Sequence, residues 1–162
     1  GKRVFITITD DYGNTLESKL DIGVHKDLDI KQEEYCFDIC FQKDGASLLM
    51  NSKEQILTEK LKSFLRFGTR STRYKDVFDI CFLLDNVNIE ELKTCIQHYI
   101  FNDKSLPVST YAELTERIRR VFTNIGFKNN AKSSGKNWLD ITTEEALTRN
   151  IEFIVSLEEP VA

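Results

Sequence analysis

Residues 59–79 read EKLKSFLRFGTRSTRYKDVFD. Leu61, Phe64 and Leu65 recur at helical spacing, and Val77, Ile80 and Cys81 do so again after a break. Gly68 ends the first helix, and Ser71 or Thr72 can cap the second. The stretch therefore predicts a pair of helices. Against their apolar stripes stand six basic residues, Lys60, Lys62, Arg66, Arg70, Arg73 and Lys75, and three acids, Glu59, Asp76 and Asp79. A purely structural helix pair rarely places so much charge beside its core. Such a cluster can hold a phosphate and a proton acceptor close together.

Outward from this pair the period changes. Upstream, RVFITIT (3–9) is rich in β-branched and aromatic residues, Asp10-Asp11-Tyr12-Gly13-Asn14 is a turn, and TLESKLDIGV (15–24) is the returning strand. Leu20, Ile22 and Val24 share one face of that strand, with Lys19, Asp21 and Gly23 on the other. Residues 25–34 read as a charged loop, YCFDICF (35–41) as a third short strand, and Gln42-Lys43-Asp44-Gly45 as a turn. From residue 52 onward the pattern is helical. Ser52 with Gln55 suits a capping box, Asn88 caps a third helix, and Pro107 and Ser109 precede a fourth. Gly126 to Lys136 reads as a polar basic loop, and Thr142 with Glu145 caps a last helix. About three strands followed by about five helices predict an α+β fold. A partial sheet over residues 1–45 would precede a helical domain over 46–162, with the hinge near 43–52.

Composition narrows the function. A chain of 162 residues with 41% hydrophobic and 30% charged residues can bury a core. Eleven Phe against two Pro favour helices over a loop-rich scaffold. The net charge of −4 excludes a bulk nucleic-acid binder, so any such contact must come from a local patch. Cys36, Cys40, Cys81 and Cys95 each sit in an apolar run and read as buried thiols; Cys36 and Cys40 are spaced C-x3-C, but His25 and His98 lie far from that pair in sequence. No apolar run approaches the ~20 residues of a membrane span. The start, Gly1-Lys2-Arg3, enters a strand directly without Met and reads as a cut within a longer protein.

The candidate residues each have two readings. Lys60 borders the apolar stripe; it either snorkels to solvent or projects into a cleft as a phosphate-holding point charge. Arg66, six residues on, points well away from Lys60 on an ideal helix. Asp76 and Asp79 share a face at i, i+3, and Lys75 and Asp79 at i, i+4. They are either the charged start of a helix or a carboxylate base beside cations. Asp21 is a solvated strand residue or a metal ligand. Two-metal phosphoryl transfer needs about three carboxylates, so one strand Asp is not sufficient. Asp27-Leu28-Asp29 has the form of a metal pair but lies in a charged loop with no Gly-Ser turn before it. The Lys128–Lys136 stretch is a solvated connector or an RNA contact. No phosphate-binding, dinucleotide, nucleophile-elbow or zinc motif is present.

The order E-K-L (59–61), Arg66, then R-Y-K-D-V-F-D (73–79), after the KLDIGV strand, resembles the abortive-infection nucleotidyltransferase toxins of the AbiEii/AbiGii type. These belong to the DNA polymerase β-like nucleotidyltransferase superfamily. The resemblance implies roles by position: Lys60 contacts nucleotide phosphates; Asp76 or Asp79 is the essential acid; Arg66, Arg73 and Lys75 bind phosphate or acceptor; Asp21 aligns with a third carboxylate. It also implies a cytoplasmic bacterial or archaeal enzyme moving a nucleotidyl group from an NTP, with Mg²⁺, to an acceptor such as tRNA, in phage defence. A cognate antitoxin would be its partner. The family's Gly-Ser turn and D-x-D pair should precede residue 1. The resemblance thus implies a C-terminal part, inactive alone. The alternative is a non-catalytic helical module that binds a protein or RNA partner.

Overall fold

A computed structural model of the chain describes residues 2–22, 32–38, 43 and 45–158. The Asp27–Asp29 pair, His25, Cys40 and half of the 42–45 turn lie outside the described residues. The chain divides into two compact units, Gly1–Lys31 and Gln32–Ala162. The first is a β-hairpin, β1 (Lys2–Thr9) antiparallel to β2 (Thr15–Ile22). Its register opposes Val4 to Leu20 and Ile8 to Leu16 on one face, and Arg3 to Asp21 on the other. The turn is made by Asp10, whose carboxylate accepts from the Tyr12 and Asn14 backbone N–H groups while Gly13 takes φ +83°.

The second unit starts with a two-stranded sheet, β3 (Gln32–Phe37) and β4 (Ala46–Asn51), antiparallel, with Cys36 opposite Ser47. Six helices follow: α1 (Lys53–Phe67), α2 (Tyr74–Leu83), α3 (Ile89–Ile96), α4 (Tyr111–Thr123), α5 (Ile125–Ser133) and α6 (Thr143–Ser156). The order of strands before helices is the α+β arrangement expected from the change of period. Three stretches depart from the expected elements. β3 runs over Gln32–Phe37, so residues 32–34, expected as loop, are strand. Residues 46–51, expected as a hinge, are β4. Most of the stretch expected as a loop at 126–136 is α5, started by the Asn124 side chain accepting from Phe127 N–H and anchored by buried Phe127 and Ala131. Those two apolar residues lie four apart, a signal too sparse to stand out from the surrounding Lys, Asn and Ser.

Helix ends follow local chemistry. Ser52 Oγ caps α1, Asn88 caps α3, Thr110 caps α4, and Thr142 with Glu145 forms a full capping box on α6. Neither Ser71 nor Thr72 caps α2. Arg73 holds that position without a side-chain bond, and Ser71 Oγ instead accepts from Arg73 N–H. After α3 the chain widens into a π-turn over Gln97–Phe101.

The core lies among the helices. α1 packs on α2, α3 and α4, and α6 closes over α2 and α4. Phe64 of α1, Phe122 of α4 and Phe127 of α5 meet ring to ring at 5.1–6.0 Å. Leu57, Leu61, Phe78, Leu92, Ile96 and Leu114 are fully buried around them, each contributing about 1.5–3 kcal/mol. Asn150 of α6 donates to the Val77 carbonyl at 2.9 Å, and Arg149 pairs with Asp85, so α6 fixes the back of α2. Of the thiols, Cys81 is buried, and burial raises its pKa. Cys95 is half-buried, and Cys36 is exposed on β3, contrary to the expectation from its apolar run.

Candidate active site on the first two helices

The turn Gly68–Arg70 reverses the chain between α1 and α2. α1 buries Leu57, Leu61 and Phe64, which places Lys60 at the edge of its apolar stripe. α2 buries Val77, Ile80 and Cys81, which turns Asp76 and Asp79 toward that edge. The Lys60 ammonium consequently lies between the two carboxylates, 2.7 Å from Asp76 Oδ1 and 2.8 Å from Asp79 Oδ2. All three side chains are largely shielded, at 19%, 11% and 14% exposure.

The six cations of the opening stretch sort into three sets. Lys60, Lys75 and Arg73 converge on the two aspartates. Lys75 Nζ lies 2.7 Å from Asp79 Oδ1, and Arg73 Nη1 lies 3.6 Å from Asp76 Oδ2. Three positive charges meet two negative ones, so the cluster is net positive. Lys62 and Arg66 turn to Asp103, at 2.9 and 3.9 Å. Arg70 stands apart from both sets.

Asp76 and Asp79 differ in what they have left to offer. Asp79 accepts from Lys60, Lys75 and, at 2.9 Å, from the indole N–H of Trp138. Burial pushes its pKa up, but the hydrogen bonds from Lys60 and Lys75 outweigh burial and hold it below the usual carboxylate range. Burial likewise works against the charge on Lys60, and its bonds to Asp76 and Asp79 prevail, raising its pKa. Asp76 Oδ1 is taken by Lys60, while its buried Oδ2 makes no hydrogen bond among the described residues. The buried Ser63 hydroxyl is also without a partner there. Both residues line a groove of about 410 Å³ with Lys60, Lys62, Arg66 and Arg73, within the range of small-molecule sites. Lys60 carries three N–H donors and uses two, so one remains for a ligand.

Asp21 belongs to the other unit. Arg3 grips it with Nε and Nη2 across the hairpin, an exposed fork that accounts for both its oxygens. Three residues in or beside the site carried no sequence signal of their own. Ser63 is one of many serines. Asp103, whose carboxyl is held far below its usual pKa by the Ser105 hydroxyl and then by Lys62, is remote in sequence from its partners. Trp138 is the sole tryptophan, within a polar stretch, and that singularity was the one available hint. Its ring lies against Phe82 at 5.1 Å and under Lys75 Nζ at 5.7 Å, fixing the indole over Asp79.

The family of nucleotidyl transferase AbiEii toxins, of type IV toxin–antitoxin systems, matches residues 1–149. The chain belongs to this AbiEii family. No curated protein and no solved structure matches it. Membership brings a nucleotidyl-transfer reaction and an antitoxin partner as properties of the family. Among the described residues no helix is long and apolar enough to cross a membrane.

The Mg²⁺ that the family resemblance implies can be set against the donors present. Among the described residues no three His, Cys, Asp or Glu side chains converge as a metal site. Asp79 is saturated by Lys60, Lys75 and Trp138, and Asp21 by Arg3. These carboxylates do not fit a Mg²⁺ centre as arranged.

Proposed function

We propose that the α1–α2 groove is the phosphate-holding and proton-accepting part of a nucleotidyltransferase toxin site. The observation that carries this reading is the buried Asp76 Oδ2, unbonded and facing a groove lined by Lys60, Lys62, Arg66 and Arg73. Only a long contact, 3.6 Å to Arg73 Nη1, meets the charge on that oxygen, and leaving it without a hydrogen bond costs about 1–3 kcal/mol. In the proposed roles, Lys60 directs its remaining N–H to a nucleotide phosphate, and Arg73 adds charge at the rim. Arg66 reaches the same groove from the Asp103 side. Asp76 accepts the proton of the attacking hydroxyl. Asp79, saturated by Lys60, Lys75 and Trp138, positions Lys60.

The acceptor is a nucleic acid such as tRNA, and the enzyme acts in the cytoplasm in phage defence under control of its antitoxin. The carboxylates for a Mg²⁺–NTP complex lie outside this cluster, in a D-x-D pair. The test is labelling of tRNA from an α-labelled NTP by the protein expressed from its full reading frame. Asp76→Asn, in a variant that circular dichroism shows to be folded, should lower labelling by ~10²–10⁴-fold. Labelling at the wild-type rate would remove Asp76 from the chemistry. Labelling by residues 1–162 alone would refute the need for a separate carboxylate pair.

A further inference from the structure

A second groove lies on the far side of Phe67. It has a volume of about 320 Å³ and is formed by the end of α1, the Gly68–Arg70 turn and α4. Arg66, Arg70, Arg117 and Arg120 line it, and no carboxylate does. Arg117 and Arg120 sit at i, i+3 on one face of α4, which packs against the turn that carries Arg70. Arg117 lies near enough to Glu113, one turn before it on α4, to help lower that carboxyl's pKa. Arg66 and Arg120 have only long contacts, 3.9 Å to Asp103 and 3.7 Å to Glu116. Four guanidinium groups gathered in one groove of a chain with net charge −4 repel one another.

Phe67 joins this groove to the first. It lines both, as does Arg66, and half of its surface is exposed (50%) although it ends a helix whose other aromatic, Phe64, is fully buried. A cationic groove ending on an exposed aromatic ring is the pattern that binds single-stranded nucleic acid, phosphates on the arginines and a base on the ring.

We propose that the arginine groove holds the phosphodiester backbone of the acceptor strand, and that Phe67 stacks a base of that strand as it enters the Lys60–Asp76 groove. This rests on the reading of the acceptor as a nucleic acid. It places acceptor and nucleotide on either side of one side chain.

The test is fluorescence anisotropy of a labelled single-stranded RNA with the full chain, over a series of salt concentrations. Arg70→Glu with Arg117→Glu should weaken binding at least ~10-fold and flatten the salt slope by about 1.4, since log affinity falls by ~0.7 per neutralised phosphate in log salt. Phe67→Ala should weaken binding ~5-fold or more, the loss of one stacked base, and leave the salt slope unchanged. Lys132→Glu with Lys136→Glu makes the same change of net charge on another face and should cost under ~3-fold. Circular dichroism checks the fold of each variant. Wild-type affinity in the arginine variant would overturn the proposal, as would an equal loss in the lysine variant. Either result leaves the Lys60 site standing, which nucleoside triphosphate binding by the wild-type chain reports separately. Failure of the wild-type chain to bind RNA at all would overturn both the groove and the nucleic-acid acceptor.

Discussion

Lys60 is held by two acids, and that arrangement sets the pH behaviour of the site. Asp79 titrates below its unfolded value of about 3.9. Its contribution to stability is therefore complete above about pH 4, and is lost as pH falls through the folded pKa. Lys60 is shifted the other way, upward. Its contribution is complete below the unfolded value of about 10.4 and is lost as pH rises through the folded pKa. Between these limits neither Asp79 nor Lys60 adds pH dependence. Asp79→Asn should cost about 1–3 kcal/mol at neutral pH, because Lys60 and Lys75 lose a charged partner. The cost should shrink below pH 4, which urea unfolding at several pH values would show. Trp138→Phe preserves the ring against Phe82 and removes only the N–H donated to Asp79. It should raise the Asp79 pKa, seen by NMR titration of the side-chain carboxyl, at a cost of about 0.5–1.5 kcal/mol.

At the scale of elements, the turn between α1 and α2 decides whether the site forms. Gly68 ends α1 with φ +57° and ψ −142°, a conformation open to glycine and strained for other residues. A Cβ there would meet nothing within 4 Å, so the penalty of Gly68→Ala is purely backbone strain. It should destabilise by about 1–3 kcal/mol in thermal unfolding, with no packing defect. Glycine at this point was readable from the sequence, as were the caps at Asn88 and Thr142, because each is a local rule about one helix end. β4 was not readable. Leu48, Leu49 and Met50 run together without alternation, and only pairing with β3 makes them a strand. α5 was hidden for a related reason, since the burial of Phe127 against Phe64 and Phe122 is a tertiary fact.

Over the whole molecule, the candidate site was legible in its members and illegible in its wiring. The i, i+3 and i, i+4 spacings placed Asp76, Asp79 and Lys75 on one face. The change of chain direction at Gly68 is what brings Lys60, sixteen residues from Asp76, between them. That Asp79 is saturated and Asp76 is not depends on Trp138, fifty-nine residues from Asp79, and no spacing rule reaches that far. The same folding divides one basic run into a cluster on Asp76 and Asp79, a pair on Asp103 and an arginine, Arg70, beside Arg117 and Arg120. The chain's net negative charge gives no sign of that local division. The central claim is that the groove beside Lys60 receives nucleotide phosphates, and equilibrium binding of a fluorescent nucleoside triphosphate to the chain tests it most directly. Saturable binding that falls at least ~10-fold in Lys60→Met and ~3-fold in Arg73→Ala, with both variants folded, is the predicted result, as expected for lost charge-assisted bonds. Equal binding by wild type and both folded variants, or none by wild type, would contradict it.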